Sequence, residues 1–200
     1  MEEFPSLVER ARLRASRMGF PLTRDEAGPD RPSACLPDVG RFLAVLAAGC
    51  RGGRIGELGT GVGVGAAWMA SGMPDDCVLV TVELDDRLAS AARQLLADDP
   101  RVEVITGDAA EILPDRAPFD LMFADSGVRD AAAFESLVSL LRLGGRIVMD
   151  DVIPLAALPA VSEPRADDLK RRFFQDPRLV SAEVVLPDLR NALLVGTRAA

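Results

Sequence analysis

From Arg54 onward the chain alternates short apolar runs with segments of helical spacing, and this alternation restricts its possible folds more than any other feature. The runs are RIGEL from Arg54, VLVTVE (Val78 to Glu83), VEVI (Val102 to Ile105), FDLMFA (Phe119 to Ala124) and RIVMD (Arg146 to Asp150). Between them, segments near 63–72, 85–97, 108–113 and 130–142 have a helical pattern. Short apolar strands separated by helices form βαβ units around a parallel sheet covered on both faces, with right-handed crossovers. The end of the chain differs. LVSAEVV (Leu179 to Val185) and NALLVGTR (Asn191 to Arg198) are separated only by LPDLR, too short for a helical crossover, which predicts an antiparallel hairpin. The expected fold is therefore doubly wound α/β: a mostly parallel, seven-stranded, Rossmann-like sheet closed by an antiparallel C-terminal hairpin.

Ahead of this core, Phe4 to Met18 suits a helix with Leu7, Val8 and Ala11 on one stripe. A proline-rich loop runs from Gly19 to Pro37, and Asp38 opens a second helix with Val39, Phe42, Leu43, Leu46 and Ala47 at helical spacing. We expect one domain over residues 1–200, with 1–50 as N-terminal helices and covering loop and 51–200 as the α/β core.

The sharpest motif is GELGTGVGVG, Gly56 to Gly65, at a strand-to-helix junction. Glycines 59, 61 and 63 let the backbone turn tightly and approach a ligand, and the following helix N-terminus favours an anion. In an open parallel sheet ligands bind in that crevice. Taken alone, the loop admits three readings: a methyltransferase cofactor, a dinucleotide, or a purely structural turn. Read as G-x-G-x-x-A, Gly61, Gly63 and Ala66 fit a dinucleotide fingerprint with Glu83 at the ribose distance. Acidic residues then end four consecutive strands: Glu83, Asp108 just after the third, Asp125, and Asp150 with Asp151. Asp108 and Glu111 also form a helix start of capping-box type.

What the chain lacks is informative. It has no His and no Tyr, and its single lysine is Lys170. Hydride transfer finds no proton donor near the crevice, so catalysis there must use carboxylates, Arg, thiols, backbone or a bound metal. A net charge of −8 opposes a nucleic-acid partner and favours a small-molecule substrate. Three widely spaced cysteines, Cys35, Cys50 and Cys77, fit neither a disulfide framework nor a zinc spacing and read as buried thiols. Trp68 reads as core. No apolar run reaches membrane-spanning length, and the acidic opening is unlike a secretory signal, so no membrane partner and a cytoplasmic location are expected.

At these motifs the chain resembles the class I S-adenosylmethionine-dependent O-methyltransferases of catechol and caffeoyl-CoA type. The resemblance runs from about Pro32 to Arg198, through PDVGRFLAVL, ELGTGVG, VTVELDDR, VITGDAAEILP, FDLMFADS, LLRLGGRIVMDDV and VVLPDLRNALLVGTR. It implies S-adenosyl-L-methionine as cofactor, with its methionine end on Glu57, Gly59, Thr60, Gly61 and Gly63. Its ribose would lie on Glu83 beside Leu84, and its adenine by Gly107, Asp108 and Ala109. Asp125 would border the cofactor too, and Ser33 to Leu36 would back onto it.

The resemblance further implies a divalent metal, Mg²⁺ or another, on Asp125, Asp150 and Asp151, and a homodimer. The chain departs from the family at three places. Asp151 stands where an Asn is usual, Val128 where a Lys is usual with Arg129 next to it, and Val64 and Gly65 where a Ser is common. Asp125 and Arg129 are the expected catalytic residues, acting on a small phenol- or catechol-like hydroxyl. A tRNA-modifying enzyme on the same scaffold and a non-catalytic cofactor-binding protein are the alternative readings.

Overall fold

A computed structural model describes residues 4–23, 25–26, 33–125, 128, 131–152, 154, 164–186 and 191–200. Two helices, α1 (Ser6–Arg17) and α2 (Pro37–Ala47), precede the sheet. Then follow β1 (Arg54–Leu58), α3 (Val64–Gly72), β2 (Val78–Glu83), α4 (Asp86–Leu96), β3 (Val102–Thr106) and the short α5 (Ala109–Ile112). A 3₁₀ turn (Leu113–Arg116) leads into β4 (Phe119–Ala124), α6 (Ala131–Leu140), β5 (Leu141–Val152), α7 (Pro164–Gln175), β6 (Leu179–Val185) and β7 (Ala192–Arg198).

The seven strands lie in the order β3-β2-β1-β4-β5-β7-β6. The first five are parallel, and β7 runs antiparallel to both β5 and β6. The strand order reverses between β1 and β4, which places a crevice at their carboxyl ends. Alternation along the strands divides the core. Ile55, Leu79, Leu121, Phe123 and Val148 pack on the face covered by α1, α2 and α3. Val80, Val82, Met122, Ile147 and Met149 pack on the other face, with Phe134 and Val138 of α6 and Phe173 of α7. Every residue of β4 is buried, as a central two-faced strand requires.

Two elements differ from the sequence expectation. The last fifth of the chain includes α7, absent from the sequence reading because PRADDLKRRFFQ is largely charged. Among its described side chains the buried positions are Lys170 and Phe173. Strand β5 begins at Leu141, inside the segment read as helix to 142. Leu141 pairs with Phe119 while Arg146 pairs with Leu121, so LRLGG is an irregular strand entry. The apolar stripe of α1 is satisfied within its own chain. Val8, Ala11 and Ala15 are fully buried, and α1 packs on α3, where Phe4 meets Trp68 edge-on at 5.8 Å. Trp68 is core, as expected, and Cys35, Cys50 and Cys77 are buried free thiols. No described helix is long and apolar enough to cross a membrane.

Candidate active site

The glycine loop joins β1 to α3 at the reversal of strand order. Gly61 (φ +54°) and Gly63 (φ +93°) hold backbone conformations that side chains disfavour. A Cβ added to Gly61 would meet nothing within 4 Å, so this residue faces open space. Gly63 N-caps α3, and no side chain caps that helix. The Gly59 and Thr60 N–H groups donate to the Val82 carbonyl at 3.0 and 3.3 Å, binding the loop to β2.

Glu83 ends β2 beside this loop. Its Oε2 accepts from the Gly61 N–H at 2.7 Å and its Oε1 from the Asp85 N–H at 3.0 Å. A cleft of about 190 Å³ opens next to it, lined by Gly59, Glu83, Leu84, Gly107, Asp108 and Ala109 among others. Six residues expected at the cofactor thus share one cleft. Leu84 is 76% exposed there. Asp108 also N-caps α5, its Oδ1 accepting from the Ala110 N–H at 2.8 Å. The far wall of the cleft is Val128 with Ser136, Leu137 and Leu140 of α6. Sequence reasoning missed these α6 residues, since a helix stripe on a sheet reads as core.

Glu57, on β1, and Thr60, within the loop, do not line that cleft. Glu57 is 1% exposed, and its Oε2 accepts from Thr81 Oγ1, which lies 2.5 Å from Thr60 Oγ1. Burial pushes the Glu57 carboxyl up to about 8, helped by the nearby charge of Glu83 and opposed by the Thr81 hydrogen bond. Thr81 was not singled out from the sequence. Its signal is a hydroxyl inside the apolar run VLVTVE, which a buried strand carries only with a partner.

Asp125 follows β4, and its N–H donates to the Leu58 carbonyl at 3.1 Å. Burial raises its carboxyl well above the usual range, and the charges of Asp150, Asp151, Glu57 and Glu83 add to this. Cys35, in the segment before α2, is raised by burial and then by Asp150, Asp125, Glu57 and Asp151, so the thiol borders the same acidic crevice. Asp150 and Asp151 end β5. The Asp151 N–H donates to Asp150 Oδ1 at 2.7 Å, and Asn191 Nδ2 donates to Asp151 Oδ1 at 3.1 Å. Asp151 has φ +56°, a conformation Asp and Asn tolerate better than most. The three aspartates are hard oxygen donors acting on one another's charge, which suits a divalent cation. Among the described residues, however, no three His, Cys, Asp or Glu side chains converge into a metal-ligand group. Arg129 lies outside the described residues.

Comparison with known proteins places this chain in a family. A methyltransferase-domain model matches residues 57–152, the stretch holding the glycine loop, Glu83, Asp125 and Asp151. A Mycobacterium tuberculosis protein described as a probable O-methyltransferase is 35% identical over 181 residues, covering 82% of this chain and 79% of its own. The chain belongs to the class I S-adenosylmethionine-dependent O-methyltransferase family. Solved methyltransferases share its fold. The O-methyltransferase TomG of Streptomyces achromogenes, crystallised with S-adenosylmethionine, is 24% identical with a TM-score of 0.78, over 99% of this chain and 92% of its own. The Bacillus cereus O-methyltransferase, crystallised with S-adenosylhomocysteine, is 23% identical with a TM-score of 0.74, over 99% and 93%. In this O-methyltransferase Val128, the position at which the sequence resemblance leads one to expect a Lys, lies on the cleft wall.

Proposed function

We propose that this chain, folded as one domain over residues 1–200, transfers a methyl group from S-adenosylmethionine to a hydroxyl of a small phenol- or catechol-like substrate. The observation that carries the proposal is the pairing of the Gly61 N–H with the Glu83 carboxylate at the mouth of the 190 Å³ cleft. A carboxylate has about four acceptor positions, and two of Glu83's are used by backbone N–H groups, leaving capacity for ribose hydroxyls. Gly59, Thr60, Gly61 and Gly63 would cradle the methionine end, with Glu57 behind them. Leu84, Gly107, Asp108 and Ala109 would flank ribose and adenine.

Methyl transfer from a sulfonium is an in-line displacement, in which alignment supplies most of the acceleration. When bound, S-adenosylmethionine would supply an electrophilic methyl group to the substrate oxygen, and Asp125 would take the hydroxyl proton. By the family resemblance alone, Asp125, Asp150 and Asp151 would hold a divalent cation such as Mg²⁺, and to do so their side chains, which form no ligand group among the described residues, would have to draw together. When bound, such an ion favours the ionised form of a coordinated hydroxyl. Arg129, always protonated, would orient an acidic substrate.

The chain would work in the cytoplasm as a homodimer. With the α1 stripe buried in its own chain, the dimer rests on family resemblance, and a monomer mass by light scattering at micromolar concentration would remove it. Turnover on catechols set beside turnover on bulk tRNA tests the substrate class. Methylated tRNA with untouched catechols would overturn it.

A further inference from the structure

Behind the glycine loop, a chain of two hydroxyls runs in a direction that one proton decides. Glu57 Oε2, Thr81 Oγ1 and Thr60 Oγ1 follow one another at 2.5 Å spacings. Their residues are 1%, 0% and 4% exposed, so solvent does not compete for these hydrogen bonds. Each hydroxyl has one proton. With Glu57 ionised, Thr81 must donate to it and Thr60 must donate to Thr81, so the Thr60 proton is committed inward. With Glu57 protonated at Oε2, the order can reverse: Glu57 donates to Thr81, Thr81 donates to Thr60, and the Thr60 proton is free to point toward the cradle.

The packing keeps Glu57 in this role. A Cβ at Gly65 would lie 2.4 Å from Glu57 Oε1 and 3.2 Å from Phe123, so the absent side chain at 65 is what admits the carboxyl. We infer that Glu57 is a positioning residue for the cofactor loop: acting through Thr81, it sets whether Thr60 donates or accepts toward the methionine end of the ligand. This rests on the cofactor reading proposed above.

Both states are accessible near neutral pH, because burial lifts the Glu57 carboxyl to about 8. The groups around it are Glu83 from β2, Asp125 beyond β4, and the Cys35 thiol from the segment before α2. Gly65 of α3 and Phe123 of β4 bring no charge. The charge of Glu83 favours the protonated form of Glu57, and the Cys35 thiol, held above its ordinary range by burial, brings no charge.

The test is calorimetric affinity for S-adenosylhomocysteine between about pH 6.5 and about pH 9.5. It compares the wild-type chain with Glu57→Gln, Thr81→Val and Thr81→Ser. An anionic methionine carboxylate prefers a donating Thr60, so wild-type affinity should fall about three- to tenfold as pH rises through 8, the size of one hydrogen bond. Glu57→Gln, whose amide donates at every pH, should lack that fall. Thr81→Val should also lack it, and Thr81→Ser, with the hydroxyl restored, should regain it. The ligand's own amine titrates alike in all four and cancels in the ratios. Wild-type and Glu57→Gln profiles that coincide, or a Thr81→Val profile that matches wild type, would overturn the inference while leaving the cofactor reading intact. No binding by any form at any pH would overturn both.

Discussion

The backbone N–H of Gly61 donates to the Glu83 carboxylate at 2.7 Å, joining the loop after β1 to the end of β2. The residue that would hold the ribose therefore also braces the loop that would hold the methionine end. Replacing Glu83 with Ala removes both roles. S-adenosylmethionine affinity should fall by about 1–3 kcal/mol, the scale of hydrogen bonds to a charged group, as measured by calorimetry. An unchanged affinity would mean that the ribose is held elsewhere.

Gly61 should tolerate no side chain when ligand is present. Its Cβ would point into open space, so Gly61→Leu would create no clash in the free protein beyond the cost of a positive φ, about 1 kcal/mol. The same side chain would occupy the ligand's place. A melt within a few degrees of wild type combined with lost cofactor binding is expected. Retained binding would show that the ligand does not approach this backbone.

Lys170, the chain's single lysine, is 2% exposed on α7, and its Nζ donates to Glu183 Oε1 of β6 at 2.7 Å. It lies outside the cleft-lining residues and joins a helix to an edge strand. Lys170→Met would leave the mostly buried Glu183 without this partner, at a cost of about 3 kcal/mol in denaturant unfolding. Cofactor affinity should not change. A loss of affinity without a loss of stability would assign Lys170 to the site.

Glu57 links stability to pH. Its carboxyl rises from an ordinary 4.5 to about 8 in the folded chain, so the folded state holds a proton that the unfolded state releases between those values. Its contribution is complete below 4.5 and is lost as pH climbs through 8. Relative to Glu57→Gln, the ligand-free wild type should therefore lose stability steadily across that window, read as a difference in Tm. A constant difference would mean that Glu57 titrates normally.

Activity should require a divalent ion, with Asp125→Ala losing both metal affinity and turnover. Three carboxylates carry −3 against +2, so Asp151→Asn should weaken metal capture yet keep turnover at saturating metal. Full activity in excess chelator would leave these aspartates as strand ends.

Much of the fold is legible in the sequence because β1 to β4 are short apolar runs, each followed by a segment of helical spacing. The hairpin of β6 and β7 follows from a gap that no helix could fill. Strand β5 was read as starting at Arg146 after a helical segment to 142, whereas Gly145 packs against the Phe119 carbonyl of β4, where a Cβ would lie at 2.7 Å. Helix α7 was missed because its buried positions include a lysine, which no apolar pattern reveals. At the site, the glycines and Glu83 are local signals and were legible. The Glu57–Thr81–Thr60 chain and the Asn191–Asp151 contact join residues 21 to 40 positions apart, and only the folded sheet brings them together.

Calorimetry with S-adenosylmethionine and NAD in parallel decides which cofactor fills the cleft. Saturable S-adenosylmethionine binding that Glu83→Ala weakens, with no heat from NAD, is the expected result. NAD binding with no S-adenosylmethionine binding would contradict it.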